Sequence, residues 1–297
     1  MEKNIVAVDI GATKIHIGIV RGSHIVKEVK FPTNAGTSKE DIVNNLIRGI
    51  ESLEVKDFQG IGIGVPGLVD EKQGIVYDLV NIASWKEVHL KKYLQDHFHK
   101  PVRITNDANV FALGEKIFGQ GSRFQNIVGI TMGTGFGTGI IANNRLYSGS
   151  FSSAGELGSI PYLDATIEDY CSGKFFKNQY QISGKEVFER AEEGDKLCRD
   201  ILNEFGKQLG NAVKILLFIL SPEAIFLGGS VSRSFKYFED ELQKSISTFP
   251  FKKVLNKLVL QPSEMSNVAI LGAAALIVSE LSEEKISAPK VKKEIIS

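Results

Sequence analysis

The chain carries one short unit twice, and this repeat constrains its fold more than any other feature. Ile5-Val6-Ala7-Val8-Asp9-Ile10-Gly11-Ala12-Thr13 aligns with Ile127-Val128-Gly129-Ile130-Thr131-Met132-Gly133-Thr134-Gly135 at a fixed offset. Each copy reads as a strand, a turn of small residues, a second strand and a polar turn, Arg21-Gly22-Ser23 in one and Asn143-Asn144-Arg145 in the other. Any two strand–glycine–strand hairpins look alike, so coincidence is the competing account. A unit that opens each half of a chain predicts two similar lobes facing each other across a cleft. At 297 residues and 43 % hydrophobic content, there is enough chain to fill two cores. The expected boundaries are 1–118 for the first lobe and 119–281 for the second. The tail, 282–297, holds Lys and Glu with one Pro and is expected to be a solvated extension, available to complete the first lobe.

Local patterns fill in the two halves. β-rich runs at 5–10, 15–20 and 25–31 predict three strands. Thr37 stands three residues before Glu40, a capping-box spacing, and Ile42, Val43, Leu46, Ile47, Ile50 and Leu53 then recur at helical period. An amphipathic helix is expected there. A strand at 61–65, a helix at 86–98, a strand at 102–105 and a helix at 108–118 complete a βββαβαβα half. The second half is expected to pass from its hairpin into a long helical region over 185–220, stopped by Ser221-Pro222. A strand at 224–227, a helix at 236–248, a strand at 258–260 and an alanine-rich helix at 268–281 follow.

Charge narrows the ligands. Lys plus Arg equal Asp plus Glu at 35 each, so no net positive field gathers nucleic acid or anionic lipid, and small molecules are expected. Two cysteines, Cys171 and Cys198, support neither a disulfide framework nor a four-cysteine metal site. His97 and His99 read as surface residues at a charged helix end, and no zinc is expected. The longest apolar run, 215–220, is far short of a membrane span, and no signal peptide is read at the N-terminus, so the expected compartment is the cytoplasm.

Both glycine turns, 11–14 and 133–139, lie between paired strands, where glycine lets backbone N–H groups approach an anion. That suits phosphate; a plain hairpin turn is the other reading for each. Thr13, Lys14, Thr134 and Thr138 offer further donors, and Asp9 could orient a magnesium ion through water. Leu227-Gly228-Gly229-Ser230 follows a third strand and opens onto a helical segment, either as a helix-entry turn or as bare backbone against which an adenosine could lie. Gly62-Ile63-Gly64-Val65-Pro66-Gly67 has the spacing of a dinucleotide fingerprint, but no helical pattern follows it, and no Gly-x-x-x-x-Gly-Lys-Ser/Thr occurs.

Phosphoryl transfer to an alcohol needs a base by the hydroxyl, magnesium on the phosphates and close alignment. Asp107, in Thr105-Asn106-Asp107-Ala108-Asn109, stands after a strand and at a helix start, where the helix dipole favours its ionised form. Asp107 or Asn106 could instead serve only as the helix cap. Glu156 and Glu168 flank a short turn and could each accept two sugar hydroxyls, or simply be solvated.

Taken together, six segments resemble those of the ROK family, in order and approximate spacing. They are Val8-Asp9-Ile10-Gly11-Ala12-Thr13-Lys14, Gly62-Ile63-Gly64-Val65-Pro66-Gly67, Asn106-Asp107-Ala108-Asn109, Met132-Gly133-Thr134-Gly135-Phe136-Gly137-Thr138-Gly139, Gly155-Glu156-Leu157-Gly158 and Leu227-Gly228-Gly229. The resemblance spans about residues 4–276. It implies an α/β, two-lobed, actin-like (ribonuclease H-like) ATPase fold with duplicated βββαβαβα domains and a cleft between them, the nucleotide-binding elements being largely in the second lobe. It further implies ATP phosphates on Gly11, Ala12, Thr13, Lys14, Gly133, Thr134 and Gly135, adenosine by Gly228 and Gly229, and Asp107 as base. Sugar contacts are implied from Gly67, Asn81, Asn106, Glu156 and Glu168, and a homodimer is what the family suggests. The implied reaction is attack of a hexose 6-hydroxyl, glucose first, on the γ-phosphoryl of Mg–ATP.

One position departs from the family pattern. Many members follow the glutamate turn with a histidine and a cysteine cluster that bind zinc, whereas this chain has Ser159 and no cysteine before Glu168. Ser159 therefore stands where sugar recognition is expected to differ, and fructose, N-acetylmannosamine and N-acetylglucosamine are the rival substrates. A ROK repressor is the second reading; those proteins carry a helix-turn-helix ahead of the first glycine turn, and eight residues precede Asp9 here. An actin-like ATPase without sugar chemistry is the third.

Overall fold

The computed structural model describes residues 3–79 and 81–287. The first hairpin forms as read: β1 (Ile5–Ile10) pairs antiparallel with β2 (Lys14–Arg21), which pairs with β3 (His24–Pro32). Helix α1 (Lys39–Glu51) follows. Its cap is Ser38, not Thr37: the Ser38 hydroxyl accepts from Asp41 N at 3.1 Å, while Thr37 Oγ1 donates to Asn34 O. Strand β4 (Ile61–Val65) runs parallel to β1. A small antiparallel sheet that the patterns did not predict then forms from β5 (Leu68–Asp70), β6 (Ile75–Tyr77) and β7 (Glu87–Val88). Because Glu87 and Val88 pair with Tyr77 and Val76, helix α2 begins at Leu90 (Leu90–Phe98) rather than at 86. Strand β8 (Val102–Asn106) joins β4 in parallel and leads directly into α3 (Asp107–Ile117).

The second half repeats this plan. Strands β9 (Ile127–Met132), β10 (Phe136–Ala142) and β11 (Arg145–Leu146) form the opening hairpin and its edge, β12 (Pro161–Tyr162) and β13 (Ala165–Thr166) a short ribbon, and helices α4 (Ile167–Cys171), α5 (Gly173–Tyr180), α6 (Gly184–Glu192) and α7 (Lys196–Ile219) the helical stretch. The helical region expected over 185–220 holds two helices, because Gly194 sits at φ +99 and Asp195 accepts from Cys198 N to cap a new start. Strand β14 (Ala224–Gly228), α8 (Phe235–Ile246), α9 (Lys252–Leu255), β15 (Val259–Pro262) and α10 (Val268–Ser287) complete it. Helix α10 runs past 281; residues 288–297 of the expected tail lie outside the described residues.

The sheet orders, β3-β2-β1-β4-β8 and β11-β10-β9-β14-β15, are the same order written twice. The repeat thus holds in topology, with one difference at its turn. Ile10 pairs with Ile15 across the first turn, whereas Met132 pairs with Phe136 across a second turn one residue shorter. Among the described residues no helix is long and apolar enough to cross a membrane.

Two helices tie the sheets together. Helix α10 packs on β1 and β4 of the first sheet and on α3, and α3 packs on β9 and β10 of the second. The approach is so close that backbone meets backbone. A Cβ added at Gly62 would lie 1.8 Å from Ala273 O, one at Gly272 2.0 Å from Val110 O, and one at Gly139 2.2 Å from Ala108 O. Gly62, one of the glycines of the apparent dinucleotide fingerprint, is therefore a packing residue. Gly62→Ala must shift α10 and is expected to lower stability by about 3 kcal/mol. Gly36→Ala, where a Cβ would meet nothing within 4 Å, is expected to change it by less than about 0.5 kcal/mol. Urea denaturation of the two variants checks both values.

Candidate active site

Register decides what meets at the end of the first sheet. Asp9 of β1 lies beside Gly64 of β4, Gly64 beside Thr105 of β8, and Val65 beside Asn106. The carboxyl ends of parallel strands are where open α/β sheets bind ligands. Of the two residues read as possible caps of this helix, one takes that role. Asn106, buried at the end of β8, is the cap, its Oδ1 accepting from Asn109 N at 2.8 Å. Asp107 is the first helical residue; its Oδ1 accepts from Ala108 N at 2.9 Å, and it remains open to solvent. Protein crowds the carboxyl on its other sides. The hydration lost there raises its pKa above the ordinary aspartate value, against the lowering effect of the backbone N–H groups at 107 and 108.

Asp107 is one link in a chain of carboxylates. Asp9 is pushed up to about 6, first by burial and then by the charge of Asp107, with Lys14 pulling the other way. Glu156 is raised by burial, then by Asp107 and Glu168. Like charges act this way only at short range, so the four side chains share one region. Glu168 lies against the second turn, where a Cβ on Gly135 would be 2.7 Å from its Oε2. That oxygen accepts from Phe136 N at 2.8 Å, and Oε1 accepts from Lys174 Nζ at 2.6 Å. The chain therefore reaches from Asp9, just before Gly11, to Gly135.

The two glycine turns are built to show N–H groups. In the first, Gly11 N donates to Lys14 O at 2.9 Å, and Thr33, fully buried, donates its hydroxyl to Gly11 O at 2.7 Å and its N–H to Thr13 O at 3.0 Å. In the second, Gly133 N donates to Gly135 O, Gly173 N to Gly133 O at 2.7 Å, and the Ser172 hydroxyl to Thr134 O at 3.2 Å. With these carbonyls occupied, the N–H groups of Ala12, Thr13, Thr134 and Gly135 have no partner among the described residues, the arrangement that holds an anion. Thr13, Lys14 and Thr134 are exposed beside them. Gly228 ends β14 beside Thr131 of β9. Gly229 follows at φ +86, where a Cβ would strike Met132 O at 2.2 Å, and Ser230 Oγ lies 4.0 Å from the Cβ position of Gly133. The third glycine pair thus adjoins the second turn. Thr138 does not serve as a donor to a ligand: it is 2 % exposed and its hydroxyl donates to Gly155 O, holding the turn that carries Glu156.

Of the remaining positions expected to face a sugar, Gly67 backs onto the 77–79 segment, its Cβ position 3.4 Å from Tyr77 O, and Asn81 is exposed in the turn that follows. Ser159 ends the short turn Leu157–Ser159, exposed, its N–H donating to Glu156 O at 3.2 Å. Thr33, Ser172 and Gly173 were missed by sequence reasoning. They sit outside the repeat, and their contacts span 20 to 40 positions that no local pattern reports. Among the described residues no group of three or more His, Cys, Asp or Glu is arranged to hold a metal. A divalent ion would offset both the lost hydration and the Asp107 repulsion that raise Asp9, so that side chain fits a magnesium brought in on phosphates rather than caged by protein.

Known proteins place this geometry. A family model described as "ROK family" matches residues 5–280. The chain is 28 % identical to a glucokinase from Thermotoga maritima over 92 % of this chain and 96 % of that protein. It is 29 % identical to a xylose repressor from Caldicellulosiruptor bescii over 94 % of this chain and 79 % of the repressor. The crystal structure of a ROK family glucokinase from Streptomyces griseus in complex with glucose and AMPPNP superposes with a TM-score of 0.77 at 28 % identity, covering 92 % of this chain and 98 % of that one. The match runs through both hairpins, the Asp107 segment and the third glycine pair, and the chain belongs to the ROK family.

Proposed function

We propose that this ROK protein is an ATP-dependent sugar kinase that transfers the γ-phosphoryl of Mg–ATP to the 6-hydroxyl of a hexose, with Asp107 as general base. The observation that carries this reading is the carboxylate chain from Asp9 through Asp107 and Glu156 to Glu168, with a glycine turn at either end. The similar Streptomyces griseus glucokinase binds glucose and AMPPNP together, which supports ATP as donor and glucose as the first sugar to try. Similar N-acetyl-D-glucosamine kinases, such as that of Mannheimia succiniciproducens at 27 % identity, support an N-acetylhexosamine as the alternative.

In this reading the unpaired N–H groups of the two turns, with Lys14, hold the phosphates, and Gly228 and Gly229 leave room for the adenosine. Gly67, Asn81, Asn106, Glu156, Ser159 and Glu168 surround the sugar. Asp9 would hold a magnesium ion bound with the phosphates, which would supply charge neutralisation. Asp107 takes the hydroxyl proton as that oxygen bonds to phosphorus and the bond to the ADP oxygen breaks. A raised pKa suits this work, because a base nearer the working pH accepts the proton more readily.

A hexose panel with coupled ADP detection tests the reaction. Turnover is expected with at least one hexose, and Asp107→Asn is expected to lower kcat by about 10³-fold while leaving AMPPNP binding intact. Sugar binding without turnover in the wild type would instead favour a sugar-responsive regulator, the activity of the similar xylose repressors.

Two pH dependences follow. Asp107 must be ionised to act, so kcat falls as pH drops through its raised pKa, giving an acid limb above that of an ordinary aspartate. For Asp9 the sign is opposite and concerns stability. An aspartate whose folded pKa stands at about 6 destabilises the fold as an anion, a penalty absent below the ordinary aspartate value of 3.8 and complete above about 6. Asp9→Asn is therefore expected to raise Tm at pH 7.5, with a gain that shrinks as pH falls toward 4, and to impair catalysis; thermal scans across pH check this.

A further inference from the structure

Glu71, in the turn after β5, is a hub that neither the repeat nor the glycine motifs explain. Its Oε1 accepts from Thr105 Oγ1 at 2.5 Å and from Ser152 Oγ at 2.9 Å, and its Oε2 accepts from Ser148 Oγ at 2.9 Å. Three hydroxyls, each with a single proton to give, thus converge on one carboxylate. Thr105 and Ser152 are 0 % and 1 % exposed, so these bonds are shielded from water.

The three donors come from two places that matter. Thr105 is the last residue before Asn106 and Asp107, and its Oγ1 accepts in turn from Asn109 Nδ2 at 3.1 Å, while Asn109 N donates to the Asn106 cap. Ser148 and Ser152 belong to the loop that runs on to Glu156. That loop has left-handed backbone at two residues other than glycine, Phe151 (φ 54) and Ser152 (φ 55), a conformation that persists only where surrounding contacts over-determine it. Glu71 supplies two such contacts. A third is the edge-on ring contact between Phe151 and Tyr77, with centroids 5.8 Å apart.

We propose that Glu71 is a positioning residue for phosphoryl transfer, its carboxylate fixing the Ser148–Ser152 loop, and through it Glu156, against the strand end that presents Asn106 and Asp107. The proposal rests on the kinase reading above. Glu71 acts through the hydroxyls it holds, and so sets the distance between the group that holds the sugar and the group that takes its proton.

Glu71→Gln keeps the shape but removes the charge and replaces one acceptor oxygen with an N–H donor, so that one of the three hydroxyls must turn round to accept or lose its bond. It is expected to raise the KM for sugar and lower kcat, each by about tenfold, with the KM for ATP within about twofold of wild type. Ser148→Ala removes one bond on the loop side alone and is expected to raise the sugar KM less, by about threefold, with kcat nearly unchanged. Glu71→Asp, unable to reach all three hydroxyls, should fall between Glu71→Gln and wild type. Kinetics are read per folded molecule, after circular dichroism and melting temperature have been measured. A Glu71→Gln protein that melts lower but shows wild-type sugar KM and kcat overturns the proposal, as does a rise in both KM values together. If the wild type transfers no phosphoryl group, the kinase reading fails, and calorimetric sugar binding decides on Glu71: weaker binding by Glu71→Gln upholds the loop-fixing role, and equal binding or none by either protein overturns it.

Discussion

The contact of α3 and α10 with the two sheets holds everything else in place. Both helices approach at backbone distance because Gly62, Gly139 and Gly272 carry no Cβ, and a methyl at any of them would enter a neighbouring carbonyl. Close packing of this kind leaves little room for adjustment, since interiors are dense and a single methylene is felt. Asp107 is the first residue of α3, and Ala108 is pinned against Gly139. The position of the proposed base is thus fixed by helix packing rather than by a flexible loop, which a reaction sensitive to ångström-scale alignment requires.

Around that fixed point the fold gathers charge at a cost. Asp9, Asp107 and Glu156 all have raised pKa values, with burial the largest cause in each, and Asp107 raises both of the others. Left alone, mutually repelling carboxylates that have lost part of their hydration oppose folding. A site that binds magnesium, phosphates and a polyol uses that repulsion, because cation and hydroxyl donors restore what burial removed. The stability forgone in the free protein is the signature of a binding surface rather than of a structural network. The Glu71 hub is the contrast. Its carboxylate meets three hydroxyl donors, which is how a group that holds structure is satisfied.

Much of this was legible in the residues. The repeated hairpin predicted two similar sheets, and they share one strand order. Asp107 was legible because a strand, a polar pair and a helix start are all local signals. What escaped was non-local. The small sheet of β5, β6 and β7 consists of strands of two or three residues, too short for alternation to register. The break at Gly194 was hidden because the apolar period resumes in α7 as if uninterrupted. Gly139 was read as part of a ligand turn and Gly62 as part of a discounted dinucleotide match, yet both serve helix packing, since a glycine that admits a ligand and one that admits a backbone look alike in sequence. Glu71 carried no signal at all, its partners lying 34, 77 and 81 residues away.

The most direct test of Asp107 as the base is a crystal structure with glucose, or the best hexose found, and AMPPNP bound together. The 6-hydroxyl oxygen is predicted to lie within about 2.6–3.2 Å of an Asp107 carboxylate oxygen and in line with the γ-phosphorus. A ternary complex in which Asp107 bonds only to its own helix N–H groups, with the acceptor hydroxyl facing another side chain, would contradict the account.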